Sequence, residues 1–384
     1  MRRLPYWRLS GFYFFYFAFV GAMSPYWGLY LKSLTFNAWQ IGVLMSLLQV
    51  MRIFAPNIWA WIADHTGRRS SIVQVAALGS LLCFLGVFWG NGFVWLFVVM
   101  ASMSFFWSAS LPLVEATTLS HLGERTHYYG RIRLWGSVGF IVTVLGLGYW
   151  LSFRPVSDLP WAVLLSMAGI ALLARWIPDA KITTPVQAHI AIWHVVRRPE
   201  VMSLLVACFL MAVAHGPYYA FYSIYLVEHG YSKSMVGWLW ALGVICEIAV
   251  FLWLPRWLPN ISMVKVLLAT FAIAVVRFLM IAWGIDSLGW VILAQVLHAA
   301  TFGAHHLAAV ALIHRYFHGR NQARGQGIYN GMTFGAGGTL GGLYAGAIWD
   351  GLGASWVFTI AAGCALLALL LVTWQRQQME ATTA

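Results

Sequence analysis

Charged side chains are scarce in this sequence. Asp, Glu, Lys and Arg make up only 9% of its 384 residues, whereas 61% of the residues are hydrophobic. So little polar surface cannot cover a water-soluble globule. The apolar residues gather in about twelve runs, each near the roughly twenty residues that a helix needs to cross a bilayer. We therefore predict an integral membrane protein.

The apolar runs also lack the alternation of polar and apolar residues that strands have. Glycine and proline occur inside the runs, which membrane helices tolerate because neighbouring helices satisfy the freed backbone groups. Only four cysteines are present, Cys83, Cys208, Cys246 and Cys364, and they lie within predicted spans without metal-ligand spacing. We predict an all-α fold with inert cysteines, no metal ion and no other cofactor.

Acidic residues are fewer than basic ones, and the net charge is +12. The positions of the 23 Lys and Arg residues argue against nucleic acid as a partner. If the N-terminus is cytoplasmic, only Lys32, Arg154 and Lys233 lie in loops on the opposite side. This asymmetry predicts that both termini face the cytoplasm. The short loops suggest a bacterial inner membrane, and we expect a monomer.

One polar segment, 178–200, divides the chain into two halves. Residues 1–177 and 201–384 contain six predicted spans each. The long segment between them reads as a cytoplasmic linker.

The two halves are related by an internal repeat. One constant shift along the chain brings Gly42 onto Gly237 and Gly136 onto Gly331. Matches at one shift across separate regions indicate a duplication. Two parallel six-helix repeats are typical of major facilitator transporters, whose substrate site lies near the midplane of the membrane. We predict twelve transmembrane helices in two pseudo-symmetric halves.

A few ionisable residues fall inside the predicted spans: Arg52, Glu115, Glu247 and Arg277, with Arg133 one turn inside helix 5. Each charge at the bilayer centre costs about 2.5–3.5 kcal/mol on insertion scales, so these side chains must face the interior of the bundle. They either lock helices together as ion pairs or mark a pathway for ions and substrate. The repeat shift brings Arg52 onto Glu247, a cation onto an anion.

Three predicted spans carry polar side chains spaced by three or four residues, which places each set on one face of a helix. A single histidine of this kind is more commonly a core residue, but three such faces together favour a central aqueous cavity. The sets are Ser104, Ser108, Pro112 and Glu115; His215, Tyr219 and Tyr222; and His298, Thr301 and His305. Helix phasing also directs Tyr13, Tyr16 and Trp27 towards the cavity.

The stretch WIADHTGRRS at 61–70 resembles the loop between helices 2 and 3 of the major facilitator superfamily. Asp64, Gly67, Arg68 and Arg69 match the pattern G-x-x-x-D-R-x-G-R-R, whereas His65 replaces its first basic residue. The resemblance implies that these four residues act in gating. The alternative is that the two arginines only set the topology.

A second stretch, GRIRLWGSVGF at 130–140, resembles helix 5 of the oligosaccharide-proton symporter group, which contains lactose permease. The resemblance implies that Glu115 and Arg133 pair at a sugar-binding site, as the matching residues do in lactose permease. These two residues therefore favour a sugar as the substrate.

Three further stretches, 215–251, 275–280 and 294–310, resemble the 3-phenylpropionate transporter branch of the same superfamily, which is related to lactose permease and nucleoside-proton symporters. Glu247, Arg277 and His298 match positions that carry proton coupling in lactose permease. Thr301 stands where lactose permease has a second carboxylate, and the phenylpropionate branch resembles this chain at that position too.

These observations combine into one expectation about coupling. Because a low-dielectric site favours the neutral form of a carboxyl group, Glu247 can alternate between a protonated state and an ion pair with Arg277 or Arg52. His298 would act as relay or hydrogen-bond partner.

The substrate is expected to be a small aromatic carboxylate such as 3-phenylpropionate, taken up with protons across the lipid bilayer. A guanidinium suits a carboxylate, and the intramembrane arginines outnumber the glutamates. The residues expected to contact the substrate are Glu115, Arg133, Tyr13, Tyr16, Trp27, His215, Tyr219 and Tyr222. Symport of a sugar or nucleoside is the alternative. A membrane enzyme or receptor is a distant one, because no nucleophile or metal motif is present.

Overall fold

The computed structural model describes residues 4–123, 125, 128–179, 192–257, 261–318 and 321–381. In this part of the chain the regular structure is helical, with twelve helices of membrane-spanning length, which confirms the predicted all-α fold. Most of the predicted linker, 180–191, lies outside the described residues. The twelve helices are α1 (Tyr6–Ser33), α2 (Ala38–Thr66), α3 (Arg69–Phe88), α4 (Phe93–Leu122), α5 (Tyr129–Phe153), α6 (Val156–Ala174), α7 (Pro199–Glu228), α8 (Lys233–Trp257), α9 (Met263–Trp283), α10 (Leu288–Tyr316), α11 (322–352) and α12 (Ala354–Trp374).

Ten of these helices are also apolar enough to be recognised as membrane spans from composition and length. The other two are α1 and α11. α1 is rich in tyrosine and tryptophan, and α11 is rich in glycine. Hydropathy scales count these residues as only weakly apolar, although their backbones and rings pack inside a helical bundle.

Two compact units divide the described chain. The first comprises residues 1–185 with Tyr231–Ala241, and the second comprises residues 186–230 with Leu242–Ala384. The beginning of α8 packs with the first unit, and the rest of that helix packs with the second.

The same helix pairs form in both units. In the first unit, α1 packs against α5 and α6, and α3 packs against α4 and α6. In the second unit, α7 packs against α11 and α12, and α9 packs against α10 and α12. Each pair in the second unit follows its counterpart by six helices. This recurrence is what a duplicated six-helix bundle requires.

Glycines allow the closest of these helix approaches. A Cβ atom at Gly21 of α1 would lie 2.9 Å from the carbonyl oxygen of Phe140 on α5. Gly216 occupies the corresponding place on α7, where a Cβ atom would overlap the backbone of Gly341 on α11. Small residues at such crossings are the usual way in which membrane helices bring their backbones together.

Two helices of the second unit contain a π-helical segment, Ala299–Ala304 in α10 and Gly331–Gly337 in α11. A π segment widens the helix and breaks the regular hydrogen-bond register, and it is often found at functional sites. The segment in α10 follows His298 directly and contains Thr301 and Gly303.

Replacing Gly216 with alanine should lower the stability of the protein. The added methyl group would overlap the backbone of Gly341, and forcing extra atoms into a packed interface typically costs about 1–3 kcal/mol. The measurement is the thermal midpoint of the purified protein in detergent. Gly363→Ala is the matched control, because a Cβ atom there would meet nothing within 4 Å. Equal midpoints for the two variants would contradict the glycine contact.

Candidate functional site

Arg277 on α9 is a buried cation of the second unit, and its side chain is fully shielded from solvent. Nε donates a hydrogen bond to the carbonyl oxygen of Ala294 (2.9 Å), and Nη1 lies 3.3 Å from both His215 Nε2 and Thr301 Oγ1. The guanidinium carbon lies 4.4 Å from the centre of the Tyr218 ring. α7, α9 and α10 therefore surround this cation with neutral acceptors and an aromatic face.

The hydrogen bonds of His215 determine which of its nitrogens carries the proton. Nδ1 lies 2.9 Å from the carbonyl oxygen of Met211, one turn earlier in α7. A carbonyl oxygen only accepts, so Nδ1 must be the donor, and Nε2 of the neutral ring is then an acceptor. Nε2 faces Nη1 of Arg277, which can only donate. The contact between these two side chains therefore requires a neutral His215.

A polar cluster continues from Arg277 along α10. Tyr218 Oη donates to Gln295 Oε1 at 2.9 Å, and the Tyr218 ring stacks on His298 with 5.2 Å between ring centres. Gln295 Nε2 and His298 Nδ1 are buried and have no hydrogen-bond partner among the described residues. Unused polar atoms at such depth are uncommon in folded proteins. They mark this face of α10 as a candidate functional surface.

Glu247 of α8 lies beside the π segment of α10. A Cβ atom at Gly303 would lie 3.0 Å from Glu247 Cγ, and one at Gly243 would lie 3.2 Å from His298 Cδ2. Two glycines thus let α8 and α10 approach each other closely. The Glu247 charge also acts on Tyr218. The structure therefore gathers in one unit the three residues of the second half for which the sequence suggests a coupling role.

The other predicted residues of α7 extend this cluster. Tyr222 is buried and stacks on Tyr218, with ring centres 4.9 Å apart. Tyr219 is half-buried, and its ring centre lies 6.2 Å from that of His215. All three predicted α7 residues lie on the part of the helix that meets Arg277.

The adjacent histidines of α10 diverge. His305 Nδ1 lies 3.4 Å from Thr270 Oγ1 on α9. His306 Nδ1 lies 3.4 Å from Tyr329 Oη on α11. Neighbouring helical residues point about 100° apart, so one histidine reaches each flanking helix.

In the first unit, Glu115 of α4 lies close to the beginning of α5. Tyr129 Oη donates to Glu115 Oε1 at 3.3 Å. Tyr13 Oη lies 3.4 Å from Thr118 Oγ1, whose own proton goes to the carbonyl oxygen of Val114. Tyr13 is therefore the donor to Thr118. Tyrosine hydroxyl groups thus contact two successive turns of α4.

Arg133 of α5 lies on aromatic rings. Its guanidinium carbon is 3.9 Å from the centre of the Phe17 ring and 5.7 Å from that of Tyr13. Gly136 makes room for this arrangement, because a Cβ atom there would lie 2.8 Å from Arg133 Nη1. The Arg133 charge acts electrostatically on Glu115.

Arg52 of α2 has a similar environment. Nη1 donates to Gln49 Oε1 on the same helix at 3.1 Å, and the guanidinium carbon lies 5.8 Å from the centre of the Trp107 ring. Trp107 stacks almost parallel on Tyr16, with 4.6 Å between ring centres and 12° between planes. α1, α2 and α4 meet at this stack.

Some residues predicted to face a cavity are buried within the first unit. Trp27 is fully buried, donates to Met100 Sδ at 3.3 Å and packs on Phe84. Ser104 and Ser108 of the polar face of α4 are buried as well. A substrate contact of Trp27 stays a prediction, and its surroundings favour a packing role.

The predicted gating loop joins α2 to α3. Gly67 has φ of +66°, the left-handed conformation that ends α2 and that glycine adopts most easily. Arg69 Nη2 lies 3.4 Å from Asp64 Oδ1, and the backbone N–H of Ser70 donates to Asp179 Oδ1 at 2.8 Å. The loop is thus tied both to itself and to the segment after α6, whereas Arg68 precedes the first residue of α3.

Comparison with known proteins identifies the family. The model of the MFS_1 like family matches residues 6–360. This chain belongs to that family, within the major facilitator superfamily. The resemblance seen in the sequence is thereby confirmed.

Two relatives and one solved structure are similar to this chain. The "Probable 3-phenylpropionic acid transporter" of Escherichia coli (strain K12) is 30% identical over 373 residues, which cover 94% of this chain and 95% of the relative. The maltose permease of Geobacillus stearothermophilus is 28% identical over 376 residues, covering 94% and 93%. The crystal structure of the nucleoside transporter NupG superposes with a TM-score of 0.81 at 17% identity, covering 97% and 98%. The chain is therefore a multi-pass membrane transporter of the major facilitator type and not an enzyme.

Two residues of this transporter's polar cluster escaped the sequence analysis. Gln295 and Tyr218 link α7 to α10 through one hydrogen bond. Gln295 precedes His298 by three residues, so it lies on the same helix face, and an amide within an apolar span is a signal that could have revealed it. Tyr218 lies between Pro217 and Tyr219 in an aromatic run and offers no such signal.

Replacing His215 with phenylalanine should destabilise the transporter, because Nη1 of Arg277 would lose an acceptor in a fully buried site. An unsatisfied buried donor typically costs about 1–3 kcal/mol. His215→Gln is the matched variant, since a glutamine amide oxygen can take the place of Nε2. We expect the thermal midpoint in detergent to fall for phenylalanine and to recover at least partly for glutamine. Equal loss in both variants would contradict the acceptor role.

Proposed function

We propose that this transporter takes up a small aromatic carboxylate, such as 3-phenylpropionate, together with protons. The main support is the relative from Escherichia coli, which shares 30% identity over almost the whole chain and is described as a probable 3-phenylpropionic acid transporter. The arginines of the spans add a chemical reason, because guanidinium groups bind carboxylates through paired hydrogen bonds.

Proton coupling is assigned to Glu247, Arg277 and His298, with Arg52 as a second cation. Glu247 is half-buried beside the π segment of α10, where Gly243 and Gly303 bring α8 close to His298. Arg277 remains charged at any physiological pH. Protonation of Glu247 then decides whether the carboxyl group interacts with a cation as an ion pair. A conformational change that separates such a pair gives the two states different proton affinities, which coupling requires.

The gating role proposed for Asp64, Gly67, Arg68 and Arg69 fits a loop with contacts to the start of α3. Asp179 and Asp64 each bind the start of α3, and Gly67 supplies a turn that other residues adopt less easily. A loop of this kind can transmit a movement of α2 to α3. We further propose that the protein is a monomer in a bacterial inner membrane with both termini in the cytoplasm, because the basic residues concentrate on that side.

The proposal is tested with purified protein in liposomes, by recording proton uptake on addition of aryl carboxylates, sugars and nucleosides. We expect 3-phenylpropionate to drive proton uptake into wild-type vesicles. Glu247→Gln should retain exchange of labelled substrate and lose the accompanying proton movement, because an amide cannot carry the proton. Glu228→Gln, at the exposed end of α7, is the control and should behave as wild type.

Two results would overturn parts of this proposal separately. Normal coupling in Glu247→Gln would make Glu247 a structural residue. Proton uptake with sugars or nucleosides alone would replace the substrate class. That second candidate is supported by the similarity to maltose permease and by the nearness of Arg133 to Glu115.

A further inference from the structure

The three arginines within the membrane spans differ in how much of their hydrogen-bonding capacity the protein uses. A guanidinium carries five N–H donors. Arg277 is fully buried and reaches three acceptors. Arg52 donates to Gln49 alone among the described residues, and Arg133 donates to none of them. The arginines of the first unit thus keep most of their donors available.

Accessibility follows the same division. Arg52 and Arg133 are half-buried, whereas Arg277 has no exposed surface. Each of the two accessible guanidinium groups is held by an aromatic ring, Trp107 for Arg52 and Phe17 for Arg133. An aromatic face stabilises a cation without occupying its N–H groups. These rings therefore orient the arginines and leave their donors for a ligand.

The two accessible arginines also lie near one common residue. Tyr16 of α1 is within electrostatic range of Arg52, Arg133 and Glu115. Its ring stacks on Trp107, whose buried Nε1 has no hydrogen-bond partner among the described residues. The surroundings of Tyr16 thus hold two cations, one carboxylate and one unused indole donor. Glu115 balances one of the two positive charges, so one further negative charge would neutralise the group.

We propose that Arg52 of α2 and Arg133 of α5, both near Tyr16, form the seat of the substrate's carboxylate group, that is, the site that binds it. Arg52 is then a residue that determines specificity for an anion, a role beyond the one proposed for it in proton coupling. Arg277 is left out of this site because its side chain has no exposed surface and its Nε and Nη1 groups already bind protein acceptors. Its Nη2 has no hydrogen-bond partner among the described residues, but that atom is buried. This inference rests on the proposed transport of an aromatic carboxylate.

The test compares the affinity of the detergent-purified transporter for 3-phenylpropionate with its affinity for the neutral 3-phenylpropanamide. The two ligands share the ring and chain and differ in charge. Arg52→Gln should weaken binding of the acid roughly 10- to 100-fold, as expected for the loss of charge-assisted hydrogen bonds. Binding of the amide should change little. Arg52→Lys keeps the charge but loses the planar fork, and it should give an intermediate loss for the acid.

Arg131→Gln is the matched control, because Arg131 is exposed and lies two residues before Arg133 on the same helix. It should leave both affinities unchanged, and elution as a single peak in size exclusion would establish that each variant is folded. If Arg52→Gln prefers the acid as strongly as the wild type does, the proposed carboxylate seat is wrong, whereas the proposed function stands. Equal losses for acid and amide also overturn it, since Arg52 would then act through the fold.

A different result separates the proposed function from the seat. If the wild-type protein binds neither aryl ligand but binds a sugar or nucleoside, the proposed function fails and the carboxylate seat fails with it. If the wild type prefers the acid and Arg52→Gln removes that preference, the proposed substrate class and the seat both stand.

Discussion

A permanent positive charge inside a membrane protein is the constraint to which much of this structure responds. Arginine cannot lose its proton at physiological pH, so the fold must supply interactions in place of water. For Arg277 the fold does this with a carbonyl oxygen, a hydroxyl group, a neutral imidazole and an aromatic ring. That solution requires α7, α9 and α10 to meet at one point. The same contact requires a neutral His215, because a protonated imidazole would place an N–H group against the N–H groups of Arg277.

The first unit responds to the same constraint differently. Arg52 and Arg133 lie on aromatic rings and remain half-exposed, so they pay a smaller desolvation cost and keep their donors. The two units share their helix pairs and their glycine contacts at Gly21 and Gly216. Duplication therefore preserved the packing, whereas the charged groups diverged. Where the first unit has Arg52, the same shift gives Glu247 in the second.

Much of the fold could be predicted from the sequence, because bilayer thickness sets the length of each apolar run. α1 and α11 are the weakest spans by composition, and the repeat supports both of them. The details of the site were less accessible. The π segment beside Glu247 and the hydrogen bond from Tyr218 to Gln295 depend on how three helices pack, which no local pattern encodes. Trp27 shows the limit of helix phasing, which distinguishes the faces of a helix but cannot tell a cavity from an aromatic core.

The two proposals assign the substrate and the proton to different units, and this has a thermodynamic consequence. If the carboxylate binds in the first unit and the proton binds at Glu247 in the second, the two ligands can influence each other only through the conformations that both units share. Linkage then requires reciprocity, so a proton that raises the affinity for the carboxylate by some factor must itself bind more tightly by the same factor when the carboxylate is present. If the substrate carboxylate and Glu247 competed for one arginine, substrate binding and protonation of Glu247 could not occur independently. A substrate carboxylate that does not bind Arg277 leaves that guanidinium to Glu247, so the two negatively charged groups do not compete for Arg277.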